Sequence, residues 1–371
     1  MRLKGCEIKK MIGKNSEVKL SCLITNYNQI EWIEEAVESI LRQHIEYSYE
    51  ILIGDDGSND GSLELLREKY GNFSHIHVFV QDRDKSVKEF SNWRHSRLIF
   101  RLLDEAKGEY ISILDGDDYF CDMNHFQRKI EWLDRKENKD CVAYYGNMYK
   151  LINGELELYT DVPYAEGKYD WLKDKVYVHL ATAVIRKEVL EDVPRHIFYE
   201  QFVDWEITTW VAHKGMIYYS PQPCFVYRIL PNSIFHGASS GLHALRQVII
   251  CDSNYQAYGG KRIDSYMPRR NSVLTLYNSK TLAEDVDYEM WNAFTIKYQA
   301  KVAYMLLNRS KLEWSEKIWL YIFCLRLKAP WKILCKKIQG YGIGICQICN
   351  PKTSIEQKRI LMKNWWIRNR R

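Results

Sequence analysis

Residues 111–120 read ISILDGDDYF, so a short apolar run ends in Asp115, Asp117 and Asp118. Carboxylates this close repel one another unless a positive group lies between them. A hard divalent ion such as Mg²⁺ or Mn²⁺ takes oxygen ligands and often shares its sphere between one or two carboxylates and phosphate oxygens. Asp115 and Asp117, two apart at the end of a strand, suit a metal-bridged diphosphate. The competing reading is a turn, since Asp-Gly-Asp-Asp is good loop chemistry and Asp118 can shape that turn or cap the next helix.

The elements that carry these acids are legible in the periodicity. Residues 18–25, VKLSCLIT, read as a strand; Trp32, Ile33, Ala36, Val37, Ile40 and Leu41 then recur at helical spacing. A second apolar strand, YEILIGDD (49–56), ends in acids and the turn GSNDGS, where Asn59 or Asp60 is placed to cap a helix carrying Leu63, Leu65 and Leu66. HIHVFVQD (75–82) alternates as a third strand, and a helix over 92–106 leads into the strand that ends at Asp115. Strand and helix alternation of this kind predicts a parallel sheet covered by helices, with ligands beyond the carboxyl ends of the strands. Thr25, Asn26, Tyr27, Asp55, Asp56, Asp82, Asp115, Asp117 and Asp118 all fall on that one rim. Further along, Phe126, Ile130, Trp132 and Leu133 mark a helix, Asn153-Gly154 a hairpin, residues 202–215 a helix and 217–230 a strand.

Other nucleotide chemistries leave traces that are missing. There is no G-x-x-x-x-G-K-[ST] and no G-x-G-x-x-G after the first strand; GYGIG (340–344) has no strand before it. The first strand ends instead in TNYNQ, which offers hydroxyls and an aromatic face.

The segments LSCLITNYNQIEWIEEAVESIL, EILIGDDGSNDGS and AKGEYISILDGDDYF, in this order, resemble successive signatures of family 2 glycosyltransferases of the bacterial capsule and exopolysaccharide type. The similarity runs from about residue 18 to about residue 236. It implies a GT-A, Rossmann-like fold: an α/β protein with an open, mainly parallel twisted sheet, helices on both faces and a mainly helical C-terminal region. It also implies a UDP-sugar donor, with Thr25, Tyr27 and Asp56 at the uridine and Arg94 reaching the base. Asp115 and Asp117 then hold Mn²⁺ or Mg²⁺ and the diphosphate, Asp117 as the direct ligand. The family's catalytic base falls on Asp204 in FVDWEITTWVAHKG, with Glu206 in reserve, because Val203 and Glu206 depart from the usual Glu-Asp-aromatic-Asp pattern. An alternative reading of Asp204 is a helix cap. Arg228 and His236, in CFVYRILPNSIFHG, are weaker candidates near the phosphates or the metal. Trp205 and Trp210 offer either a face for a sugar ring or packing for their own helix.

The resemblance implies one displacement with inversion at the anomeric carbon. The acceptor is a saccharide, lipid-linked, on the way to a surface polysaccharide. Single-sugar transfer is expected, because no Gln-x-x-Arg-Trp motif follows. Two rivals are a sugar-1-phosphate nucleotidyltransferase, which should begin with a Gly-rich basic loop, and an inactive GT-A binding or scaffold protein, which would tolerate loss of the acids retained here.

Bulk composition sets the frame. With 371 residues, 46% hydrophobic and 27% charged, the chain is an ordinary folded protein. The N-terminus lacks the apolar core of a signal peptide, and no stretch reaches the roughly 18 to 20 apolar residues of a membrane span. The ten cysteines are read as reduced thiols, and Cys346-x-x-Cys349 has no second ligand pair. Residues 328–371 hold eleven Lys and Arg against one Glu, a balance of +10, which leaves −5 for the rest of a chain of net charge +5. Basic residues mixed with Trp, Ile and Leu over 311–371 suit an anionic membrane surface, and the acidic body argues against nucleic acid. The expected organisation is an extension (1–17), a nucleotide-sugar half (18–120), an acceptor half (121–240), a helical region (241–327) and a basic amphipathic tail (328–371). The expected location is cytoplasmic, peripheral on the inner face of the membrane.

Overall fold

The computed structural model describes residues 18–83, 91–160, 165–174, 178–198 and 202–230, together with His243, Arg246, Ile250, Ser253, Asn254 and Ala257. The chain divides into two compact units, Met1–His236 and Gly237–Arg371, and every element below belongs to the first. The six separate residues are all helical. His236, the Cys346/Cys349 pair and the basic tail lie outside the described residues.

Seven elements alternate as the periodicity predicts: β1 (Leu20–Asn26), α1 (Ile33–Leu41), β2 (Tyr49–Asp55), α2 (Ser62–Tyr70), β3 (Ile76–Val80), α3 (Ser91–Glu105) and β4 (Tyr110–Asp115). The second half follows as β5 (Tyr119–Phe120), α4 (His125–Asp134), β6 (Cys141–Ile152), β7 (Glu155–Leu158), β8 (Gly167–Tyr169), α5 (Trp171–Asp174), β9 (Val184–Arg186), α6 (Arg195–Phe198), α7 (Asp204–Ala212) and β10 (Met216–Arg228).

The main sheet runs β3-β2-β1-β4-β9-β6-β10-β5. Its first four strands are all parallel, whereas β9 is antiparallel to both β4 and β6, and β5 is antiparallel to β10. The chain therefore travels outward through β1, β2 and β3, then returns to lay β4 on the other side of β1. That reversal makes a topological switch point between β1 and β4, where open sheets of this kind leave a crevice for ligands.

Packing explains why the strands end where they do. Every residue of β1 is buried, as expected for a central parallel strand covered on both faces. Leu20, Cys22 and Ile24 meet the stripe Ile33, Ala36, Val37 and Ile40 of α1, the i, i+3, i+4, i+7 set of an amphipathic helix. On β2, a Cβ at Gly54 would come within 2.6 Å of Leu98 Cδ1, so the close seat of α3 requires glycine there. The Asn153-Gly154 turn has both residues at positive φ, +51° and +87°, as a two-residue hairpin between β6 and β7 demands.

Candidate active site

Strand register brings the predicted rim together. Thr25 pairs across the switch point with Asp115, and Asn26 pairs with Asp55. Thr25 Oγ1 donates to Asp115 Oδ1 at 2.6 Å, and His95 Nε2 lies 3.2 Å from that hydroxyl and 3.3 Å from the same carboxylate oxygen. Burial works against the charge on Asp115, but the hydrogen bonds from His95 and Thr25 override it and hold its pKa below the ordinary range. Asp117 goes the other way: burial pushes its pKa up, and the neighbouring Asp115 charge adds to the push. A carboxylate that resists ionising beside one that is ionised is what a bound cation would relieve. Gly116 lies between them because Gly116 N donates to Thr25 O at 2.8 Å, and a Cβ would come 2.5 Å from Gln29 Oε1 and 2.9 Å from Ile33 Cδ1.

Asp118 plays a different part. It is buried, and Asp118 Oδ1 accepts from Arg228 N at 2.7 Å, while α4 begins only after Asn124. Asp118 is therefore the anchor of the turn and caps no helix. The Arg228 guanidinium donates to the Asp117 carbonyl and to Glu35 Oε2, and its Cζ lies 4.7 Å from the Trp32 ring and 4.8 Å from the Tyr119 ring. Arg228, expected near phosphate or metal, spends Nη1 on the backbone of the acidic turn and Nη2 on α1, while its Nε is buried without a partner.

At the end of β2 the two acids divide the work. Asp55 faces the turn, where it accepts from Asn26 Nδ2 at 2.7 Å and from Ser58 N at 2.9 Å. Asp56 accepts from Arg94 Nε at 2.9 and 3.0 Å, from Arg94 Nη2 at 2.7 Å, from Gln81 Nε2 at 2.7 Å and from Arg83 Nη2 at 2.6 Å. Arg94, expected at a nucleobase, holds Asp56, and its Nη2 also donates to the Asp82 backbone oxygen at 3.1 Å. Thr25, likewise expected at the uridine, gives its hydroxyl to Asp115. Tyr27 is 38% exposed, and the Arg83 guanidinium lies 3.6 Å from its ring centroid. Gln81, Arg83 and His95 escaped the sequence reading. Gln81 and Arg83 flank Asp82 with the period of a strand, so the side-chain alternation beyond β3 was the available signal. His95 carries none beyond its place next to Arg94.

Asp204 opens α7, and the residue before it, Val203, provides no side-chain cap. Asp204 is therefore the first helical residue and not the cap. Burial raises its pKa; His179 opposes the rise and Asp115 adds to it, so Asp204 shares one electrostatic field with the acidic turn. The His179 ring stacks on Phe225 with centroids 5.1 Å apart, and its Nδ1 accepts from Ala181 N at 3.3 Å. Glu206 is corrected as a reserve base: it is fully buried, neither carboxylate oxygen has a partner, and burial pushes its pKa well above the usual value. Trp210 is buried and donates from Nε1 to Val189 O at 2.8 Å, so it packs the helix rather than facing a ligand. Trp205 is 38% exposed and meets Trp171 edge-on at 5.8 Å.

The orphaned Glu206 carboxyl gives a first prediction. Its folded-state pKa is raised, so the unfolded chain gives up this proton at lower pH than the folded one does. Stability then falls as pH rises above the ordinary carboxylate range. Glu206→Gln should be more stable than wild type at pH 7, by about 1–3 kcal/mol for an unsatisfied buried acid. The advantage should shrink towards pH 4, as read by denaturant titration at several pH values.

Among the described residues, no three His, Cys, Asp or Glu side chains gather as a complete metal cage. Two carboxylates alone fit an ion that takes its other oxygens from a diphosphate and water, and do not fit a closed structural zinc site. Cys22, Cys121, Cys141 and Cys224 are free thiols, as expected of the described cysteines. Among the described residues, no helix is long and apolar enough to cross a membrane.

A parallel sheet with a switch point, an acidic turn across it and a carboxylate at a helix start define a GT-A-type α/β domain. Residues 21–194 match the family model of Glycosyl transferase family 2. Similarity extends to the putative teichuronic acid biosynthesis glycosyltransferase TuaG of Bacillus subtilis, 24% identical over 219 residues, covering 58% of this chain and 81% of that protein. It extends also to the GalNAc(5)-diNAcBac-PP-undecaprenol beta-1,3-glucosyltransferase of Campylobacter jejuni, 26% identical over 231 residues, covering 61% of this chain and 70% of that protein. The match to the protein Rv1520 of Mycobacterium tuberculosis, 24% identical over 225 residues, spans 59% of this chain and 61% of the length of that relative. Among solved structures, S. aureus TarS 1–349 in complex with UDP-GlcNAc has a TM-score of 0.52 at 15% identity, over 94% of this chain and 91% of that one. That likeness establishes the fold.

Proposed function

We propose that this protein is an inverting glycosyltransferase that moves one sugar from a UDP-sugar to a hydroxyl of a saccharide acceptor. The observation that carries the reading is the pairing of Thr25 with Asp115 across the switch point, with Asp117 and Asp56 on the same rim and Asp204 in the same field. The polyprenyl-linked acceptor named for the Campylobacter jejuni relative and the teichuronic acid biosynthesis named for the Bacillus subtilis relative support a lipid-linked saccharide in surface polysaccharide synthesis, and we place the reaction at the cytoplasmic face of a membrane.

In this mechanism Tyr27 and Asp56 hold the uracil, the ring by stacking and its N–H by a carboxylate oxygen. Asp115 and Asp117 would hold Mn²⁺ or Mg²⁺, which when bound neutralises the diphosphate as the bond to the sugar breaks. Thr25 and His95 keep Asp115 ionised and fixed. The clamp of Arg228 and Glu35 keeps the turn in place, so the site is preorganised before the donor arrives. Asp204, its affinity for a proton raised by burial, takes the acceptor hydroxyl's proton as that oxygen attacks the anomeric carbon from the opposite face. No adduct with the enzyme forms, so the configuration inverts.

Trp205 supplies an exposed indole next to this base and is the face we assign to the acceptor ring. Trp205→Ala should raise the acceptor KM by about two- to tenfold with kcat retained, the scale of one aromatic contact.

The test is a panel of nucleotide-sugars with Mn²⁺ and lipid-linked saccharides, following nucleoside diphosphate release and the anomeric configuration of the product by NMR. UDP release with an inverted product is the expected result. Conversion of a UDP-sugar and added pyrophosphate into UTP and a sugar 1-phosphate would make the protein a nucleotidyltransferase, and a retained configuration would remove the single-displacement step.

A further inference from the structure

We propose that Arg83 occupies the nucleobase position in the unliganded protein, so that the donor binds by displacing a guanidinium that imitates its base. The inference rests on the nucleotide-sugar reading above. The two arginines at Asp56 are unequal. Arg94 grips the carboxylate with both Nε and Nη2, and its side chain is only 8% exposed. Arg83 reaches it with Nη2 alone at 2.6 Å, is 26% exposed, and leaves its own Nε buried without a partner. A buried donor left unsatisfied weakens the hold of Arg83 on this position. When Arg83 leaves, Asp56 still has the fork from Arg94 and the bond from Gln81, so its charge stays paired.

The chemistry of the occupant identifies what replaces it. The guanidinium is planar, lies 3.6 Å from the Tyr27 ring centroid, and presents an N–H to Asp56. Uracil has the same three properties: a flat ring, a π-face and a ring N3–H. Cytosine has an acceptor at that ring position and offers Asp56 nothing there. A site closed by its own side chain binds with an apparent affinity reduced by the open fraction. Arg83 therefore acts as an intramolecular competitor, and it screens entrants for a ring N–H strong enough to take its place.

The proposal predicts that removing a positive charge tightens binding of an anionic nucleotide. UDP and CDP are titrated calorimetrically, with Mn²⁺ present, into wild type, Arg83→Ala and Arg83→Lys. Arg83→Ala should bind UDP about five- to tenfold more tightly, the gain expected when a mostly closed site is opened. Arg83→Lys should tighten it too, because an ammonium cannot stack as a plane on Tyr27. CDP should bind weakly throughout. Unchanged or weaker UDP binding in Arg83→Ala overturns the proposal, making Arg83 idle or a direct contact to the nucleotide. Failure of UDP to bind wild type and both variants alike would instead bring down the nucleotide-sugar reading on which the proposal stands.

Discussion

Asp204→Asn should lower kcat by about 10²–10⁴-fold, the range for loss of a general base, while UDP affinity stays at the wild-type value. The amide keeps the shape of the side chain and its place at the first helical residue, but it cannot take a proton. Burial, reinforced by Asp115, raises the proton affinity of Asp204, so the wild-type rate should fall with decreasing pH before the ordinary aspartate range is reached. That acidic limb should vanish from the residual activity of Asp204→Asn. Steady-state kinetics against pH, beside a UDP binding isotherm, check both statements. Glu206→Gln is the internal control: with the Glu206 carboxylate sealed in the core, its activity should match wild type.

Asp117→Asn should strongly weaken metal-dependent donor binding without harming the fold. Asp117 is held in the folded protein against both burial and the Asp115 charge, so neutralising it removes a repulsion. Its backbone carbonyl, which accepts from Arg228, is unchanged by the substitution. In ion-free buffer the variant should therefore unfold at or above the wild-type temperature. UDP binding in Mn²⁺ should weaken by about 10²–10³-fold, since several kcal/mol of charge neutralisation go with the ion. A variant that loses binding because it has lost its structure would show the opposite thermal shift.

Four strands and three helices of the nucleotide half were legible because β1, β2 and β4 are nearly continuous apolar runs, β3 alternates and each helix repeats its stripe. The order β3-β2-β1-β4 then follows from parallel connections, and the rim follows from the order. Pairing partners were less legible. Sequence placed Thr25 and Arg94 on a nucleotide and did not report that strand register also sets Thr25 against Asp115 and that α3 sets Arg94 against Asp56. Arg228 stands more than one hundred residues from the turn it clamps, and no local pattern reports a contact of that range. The division between Asp204 and Glu206 was a matter of helix phase: two residues apart on α7, one opens the helix beside the shared field and the other enters the core. Trp205 and Trp210 separate by the same logic, one exposed and one buried.

The central claim is that these acidic strand ends form a nucleoside-diphosphate site completed by a divalent ion. Calorimetric titration of UDP into the whole protein, with and without Mn²⁺, tests it most directly. Saturable binding with Mn²⁺ that disappears on chelation, and that Asp117→Asn lacks, is the predicted result. Equal affinity for UDP with and without the ion, or binding that Asp117→Asn leaves intact, would contradict it.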